Sequence, residues 1–237
     1  MQGWQEELLW SMDGLHTQQE LFAKVQAAAR AMGFEYCAYG VRVPVPLTQP
    51  RFGVLSAYPE PWQRRYSEAR YLAQDPTVLH GLASGSPVLW TDQVFSRALD
   101  LWREAQSFGV RHGWAQATHG VRGVVGMLSL ARGHEPINRR ELLASEPRMR
   151  WLACLSHAML GRHLVPAVGL DGQPDLTPRE LEVLKWTGDG KTASEVGNIL
   201  AISQATVHFH LKNVVSKFGC ANKTAAVVRA ALLGLLS

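Results

Sequence analysis

The sequence predicts an α+β chain in two parts. The first is an N-terminal α/β/α sandwich with helices over both faces of a central antiparallel sheet; the second is a small all-α domain of four helices with a helix-turn-helix. Three observations predict this. Helix-period and strand-period segments alternate over the first 165 residues, and four helix-start signals crowd into the last sixty. Between them lies VPAVGLDGQPD, residues 165–175, with two prolines and two glycines in eleven positions, the composition of an interdomain connection. The expected division is 1–165, a linker at 166–175, and 176–237. The order of the strands is not legible.

In the first part, 18–32 carries Leu21, Phe22, Val25 and Ala28 or Ala29 at helical spacing, and 34–43 (FEYCAYGVRV) is short, aromatic and β-branched as a strand should be. Further strands are expected at 53–57, 115–118 and 124–131, and helices at 60–70, 77–84, 98–108 and 139–161. Seven of the eight tryptophans fall in this part, so the larger core and any aromatic pocket belong here.

Four caps define the second part. Thr177-Pro-Arg-Glu180 joins an N-cap threonine to proline at the first helical position and a glutamate that reaches back to the cap amide. Thr192-Ala-Ser-Glu195 repeats the box, Ser203 opens a third helix and Asn222 a fourth, with Gly188, Gly190 and Gly219 in the breaks. Only Ala201 and Ile202 join the second helix to the third, the tight connection of a helix-turn-helix. On the third helix Val207, Leu211, Val214 and Phe218 form one apolar stripe; Ala205, Phe209, Lys212 and Ser216 lie opposite, flanked by His208 and Asn213. His210 falls at the edge of the stripe.

Hydrophobic residues make up 46% and charged residues 19% of the 237, a globular composition, and no apolar run approaches the ~18 residues that cross a bilayer. The N-terminal MQGWQEELLW has acidic residues where a signal peptide needs basic ones, so a cytoplasmic protein with no membrane partner is expected. Cys37, Cys154 and Cys220 lie far apart and make no CxxC pair; they are expected to be reduced. The net charge of +4 decides little, but its distribution does: no acidic residue follows Glu195, while Lys212, Lys217, Lys223 and Arg229 do. A basic, acid-free helix face suits the major groove of DNA. On pattern alone, a solvated face on an ordinary bundle stays open.

The segment LTPRELEVLKWTGDGKTASEVGNILAISQATVHFHLKNVVSKFGCANKTAA resembles the DNA-binding domain of the LuxR family without a gap. The resemblance implies that Lys191 and Thr192 lie near the phosphate backbone and that His208 and Lys212 contact bases. Thr206 and Asn213 are added candidates, with Ser203, Gln204 and Lys217 as further contacts. The chain departs from the common pattern at His208, where Lys or Arg is frequent, and at Phe218, where Leu is. Upstream, Tyr58-Pro-Glu-Pro-Trp62-x-x-x-Tyr66, Tyr71-x-x-x-Asp75-Pro-Thr77-Val78, Pro87-x-x-Trp90, Gly109, Gly113 and GMLSLAR are similar to the ligand domain of acyl-homoserine lactone receptors, the quorum-sensing branch of that family. No phosphoacceptor pattern competes with it.

Tyr58, Trp62 and Tyr66, spaced by four, read as one aromatic helical stripe with hydroxyl and indole donors. Such a cluster taken alone is more often ordinary core; Asp75 tells for a site, because a carboxylate among aromatics needs a partner to offset its desolvation. By resemblance, Trp62 holds a lactone carbonyl, Tyr58 the amide carbonyl and Asp75 the amide N–H, with Ser129 or Thr77 adding a hydrogen bond. The acyl chain is then expected among Ala38, Gly40, Tyr66, Val78, Trp90, Phe95, Trp102, Val110 and Met127, with Arg42 at its tail end. Ala117 stands where relatives often carry proline. The resemblance implies a homodimer on a two-fold symmetric duplex, contact with RNA polymerase, and a small-molecule ligand without a cofactor. An orphan receptor for lactones made elsewhere, or for another small molecule, is the alternative. A lactone-hydrolysing enzyme is disfavoured: neither a GxSxG elbow nor HExxH or HxxEH spacing is present, and no catalytic or metal site is expected.

Overall fold

The computed structural model describes residues 2–168 and 175–236. The chain divides into two compact units, one of residues 1–43, 51–120 and 124–169, the other of 44–50, 121–123 and 170–237.

In chain order the first unit contains α1 (Gln2–Met12), α2 (Gln18–Ala31), β1 (Tyr36–Val43), β2 (Arg51–Ser56), α3 (Glu60–Glu68), α4 (Pro76–Ala83), β3 (Val88–Leu89), α5 (Leu99–Ser107), β4 (His112–His119), β5 (Val125–Arg132) and α6 (Arg139–Ala167). The strands form one sheet in the order β2-β1-β5-β4-β3, antiparallel at every pairing. Alternation along the strands decides what each face does. On β1, Cys37, Tyr39 and Val41 are buried with Leu128 and Leu130 of β5 against Leu21, Val25 and Ala29 of α2 and Met149, Leu152 and Leu160 of α6. Each such aliphatic side chain contributes about 1.5–3 kcal/mol of transfer free energy. Burial pushes the pKa of the Cys37 thiol up to about 12, so it packs as a small hydrophobe. All three cysteines are free.

Two elements carry no sequence expectation. The apolar residues of α1 are spread around the helix: Met12 is buried and Trp4 meets Trp151 edge-on at 5.2 Å, yet Trp10 is 73% exposed. Strand β3 has only two residues, too few for alternation to register. The helix expected at 139–161 runs on to Ala167, so Pro166 and Ala167 of the expected linker complete α6 instead. Pro166 brings no N–H, but the last turn closes through Val168 N–H onto the Leu164 carbonyl at 3.0 Å. Residues 169–174 of that linker lie outside the described residues.

The second unit contains α7 (Pro178–Gly188), α8 (Ala193–Leu200), α9 (Gln204–Phe218) and α10 (Lys223–Leu232). All four expected caps form, with full capping boxes at Thr177–Glu180 and Thr192–Glu195. Val183, Val196, Val207 and Leu211 make its core. The turn between α8 and α9 is closed by Ala201 in the left-handed region (φ 53°) and by Ile202 N–H donating to the Gly197 carbonyl at 2.9 Å. A Cβ on Gly197 would stand 2.8 Å from the Ile202 carbonyl oxygen, so this turn requires glycine there. Among the described residues no helix is long and apolar enough to cross a membrane.

Candidate functional site

The face of the sheet turned away from α2 and α6 is not closed by packing. Ala38, Gly40 and Arg42 of β1 are only half-buried, because a cavity of about 690 Å³ lies over them, within the range of small-molecule sites. Every residue expected there lines it. Ala38, Gly40 and Arg42 come from β1, Met127 and Ser129 from β5, Trp62 and Tyr66 from α3, Thr77 and Val78 from α4, and Trp102 from α5. Tyr58, Asp75, Trp90, Phe95 and Val110 come from the connections. Small residues set the closeness of the layers: a Cβ on Gly113 would stand 2.4 Å from the Trp90 ring, and Gly81 of α4 lies against Ala117 and Met127.

Tyr58 corrects one step of the reading. It precedes α3, in the loop after β2, so it shares no helical stripe with Trp62 and Tyr66. It reaches the cavity all the same, and its hydroxyl donates to Ser129 Oγ at 3.1 Å. Asp75 caps α4: its Oδ1 accepts from the Thr77 N–H at 2.8 Å and the Thr77 hydroxyl at 2.7 Å, while its Oδ2 accepts from the Tyr66 hydroxyl at 2.8 Å. The carboxylate thus offsets its desolvation within the protein, and one oxygen, Oδ2, keeps accepting capacity for a further donor. The Thr77 hydroxyl proton is committed to Asp75. Burial raises the pKa of both Tyr58 and Tyr66 well above the usual phenol value, and the Asp75 charge adds to it at Tyr66; both remain donors throughout the physiological range. Trp102 donates to Asp92 at 2.7 Å and stacks on Phe95 with centroids 4.4 Å apart.

Phe52, Val54 and Ser56 of β2, Leu72 and Val125 also line the cavity and were not expected. The register pairs Ala38 with Ser56, Gly40 with Val54 and Arg42 with Phe52 and Val125, so these strand positions, though not Leu72, follow from β1 once the pairing is known. Pairing itself has no local sequence signal.

On the second unit, Lys191, Thr192, Ser203, Gln204, His208 and Lys212 are exposed and Thr206 and Asn213 half-exposed. Ala205, Phe209 and Ser216 complete an outward face of α9 on which Phe209 is 60% exposed; His210 is half-buried at the edge of the stripe. Among the described residues no group of side chains is arranged to hold a metal ion. Lys217 is exposed as well, and its ammonium is engaged within the protein: it lies 2.7 Å from Glu180 Oε2 and 2.7 Å from the Asp175 carbonyl, where it gives the buried Glu180 carboxylate a cation. Burial alone would raise the Glu180 pKa; Lys217 and the Thr177 cap outweigh it and hold the carboxyl below its usual range.

Residues 17–160 match the family described as the autoinducer binding domain, and residues 174–230 match bacterial regulatory proteins, luxR family. The chain is 38% identical to the transcriptional activator protein AnoR of Acinetobacter nosocomialis, over 100% of both chains. It is 37% identical to the HTH-type quorum-sensing regulator RhlR of Pseudomonas aeruginosa, covering 98% of this chain and 96% of that one. Two solved structures of SdiA, one of the Escherichia coli protein and one in complex with octanoyl-rac-glycerol, match 99% of this chain and 98% and 96% of theirs. Both are 30% identical, with TM-scores of 0.83 and 0.81.

Proposed function

The chain belongs to the LuxR family of bacterial transcriptional regulators, with an autoinducer-binding domain ahead of its helix-turn-helix, and on that premise we propose that its ligand is an N-acyl-homoserine lactone. In this reading, residues 1–165 bind the lactone and dimerise, 166–175 link, and 176–237 bind a two-fold symmetric promoter element in the cytoplasm, where the dimer meets RNA polymerase. One observation carries the ligand assignment. Hydroxyls of Tyr58 and Ser129, the Trp62 indole and the Asp75 carboxylate gather in one cavity with apolar side chains beyond them, matching an amide and lactone head on an acyl tail. In the head subsite the Trp62 indole donates to one carbonyl, Tyr58 turns its hydroxyl from Ser129 to donate to the other, and Asp75 Oδ2 accepts the amide N–H.

The test is to purify the protein from cells fed a mixture of lactones and identify the bound molecule by mass spectrometry. A stoichiometric lactone is the expected result; its absence overturns the assignment. A different acyl ligand is the second reading, supported by the relative SdiA having been solved with octanoyl-rac-glycerol. Recovery of an acylglycerol in place of a lactone would decide for it.

A further inference from the structure

The far end of the cavity holds a group that the acyl-lactone reading does not use. Arg42 occupies the cavity face of β1, four residues from Ala38, and is half-buried. Its cross-strand neighbours are Phe52 on one side and Val125 on the other; neither side chain offers an acceptor. Among the described residues its guanidinium makes no hydrogen bond or ion pair. The partners for an amide lie at the other end, where Ser129 pairs with Ala38. Between the two ends the wall is Gly40, Val54 and Met127. Along its sheet wall the cavity is therefore polar at both ends and apolar in the middle.

Four residues of strand at a rise of roughly 3.3 Å separate the ends by roughly 13 Å. An extended chain of carbons joined by ~1.5 Å bonds advances roughly 1.3 Å per carbon, so about ten carbons span the gap. A plain methyl end reaching Arg42 would strip water from a guanidinium and return nothing. An oxygen acceptor there would complete a charge-assisted hydrogen bond, and a carboxylate would match the planar fork of donors best.

We propose that Arg42 is a specificity-determining residue selecting ligands whose acyl chain carries an oxygen acceptor at its far end, some ten carbons from the amide. This rests on the acyl-lactone reading of the same cavity. The probes are N-decanoyl-homoserine lactone and its counterpart of equal length with a terminal carboxylate, competed against each other on the full chain, on Arg42→Met and on Arg42→Lys. The carboxylate-tailed lactone is expected to bind the native chain about tenfold or more tightly than the plain one, the scale of one charge-assisted hydrogen bond. Arg42→Met should abolish that preference while still binding the plain lactone, and Arg42→Lys should restore part of it. A preference for the plain chain in the native protein, or a ratio unchanged by Arg42→Met, overturns the inference and leaves Arg42 as a wall whose head group lies in water. Binding of neither lactone to any of the three overturns the lactone reading itself.

Discussion

His208 and His210 lie two positions apart on α9 and so about 200° apart around its axis, with Phe209 between them. His208 is exposed on the outward face beside Lys212, whereas His210 is half-buried at the apolar stripe. His208→Ala is expected to weaken or redirect duplex binding without moving the melting temperature, and His210→Ala to lower stability with little change in base preference. Duplex competition and thermal melts of both variants check this; equal unfolding of the two would remove the distinction. Asp75→Asn should separate capping from recognition in the same way. Asparagine caps a helix as well as aspartate, but it sets a donor where Oδ2 now accepts from Tyr66. Lactone affinity is expected to fall about tenfold or more while the melt changes little; unchanged affinity would place the ligand's amide elsewhere. Residue types were legible here because chemistry-bearing side chains recur at fixed offsets. Their environments were less so: nothing local marks Tyr58 as a loop residue or Lys217 as the partner of a buried glutamate thirty-seven positions away.

Among the elements, those with caps could be read most sharply, since a capping box is complete within four residues and needs no tertiary partner. Strand β3 and helix α1 escaped for the opposite reason: their existence depends on what they pack against. The α7 box carries a pH dependence. Glu180 titrates below its ordinary range in the folded protein, so it stabilises the fold fully above the unfolded carboxyl pKa, about 4.3, and that contribution fades as pH falls through the lower folded value. Glu180→Gln should therefore melt below the native chain at neutral pH, with the gap closing in acid. Circular dichroism melts across the acid range give the answer, and a gap independent of pH would mean that the Lys217 ion pair adds no stability.

At the scale of the whole molecule, the two-part plan was legible because composition changes at the linker, whereas strand order was not, because pairing partners are distant in sequence. The large unit keeps a 690 Å³ cavity beside its core, and a ligand that fills it binds the folded state alone. Folding and binding are then linked, and a lactone at a hundred times its Kd should add about 2.7 kcal/mol of apparent stability. A melting temperature that rises with lactone concentration is the expected outcome; a flat response across chain lengths would break the linkage.

The alternation along β1 has a consequence for how such a receptor changes over time. Cys37 and Tyr39 anchor the sheet to its helices while Ala38, Gly40 and Arg42 face the cavity, so neighbouring positions on one strand carry separable tasks. Single substitutions at 38, 40 and 42 are therefore expected to change which molecules the cavity accepts while leaving the melting temperature nearly unmoved, so that a new signal lies one exchange in a short strand away.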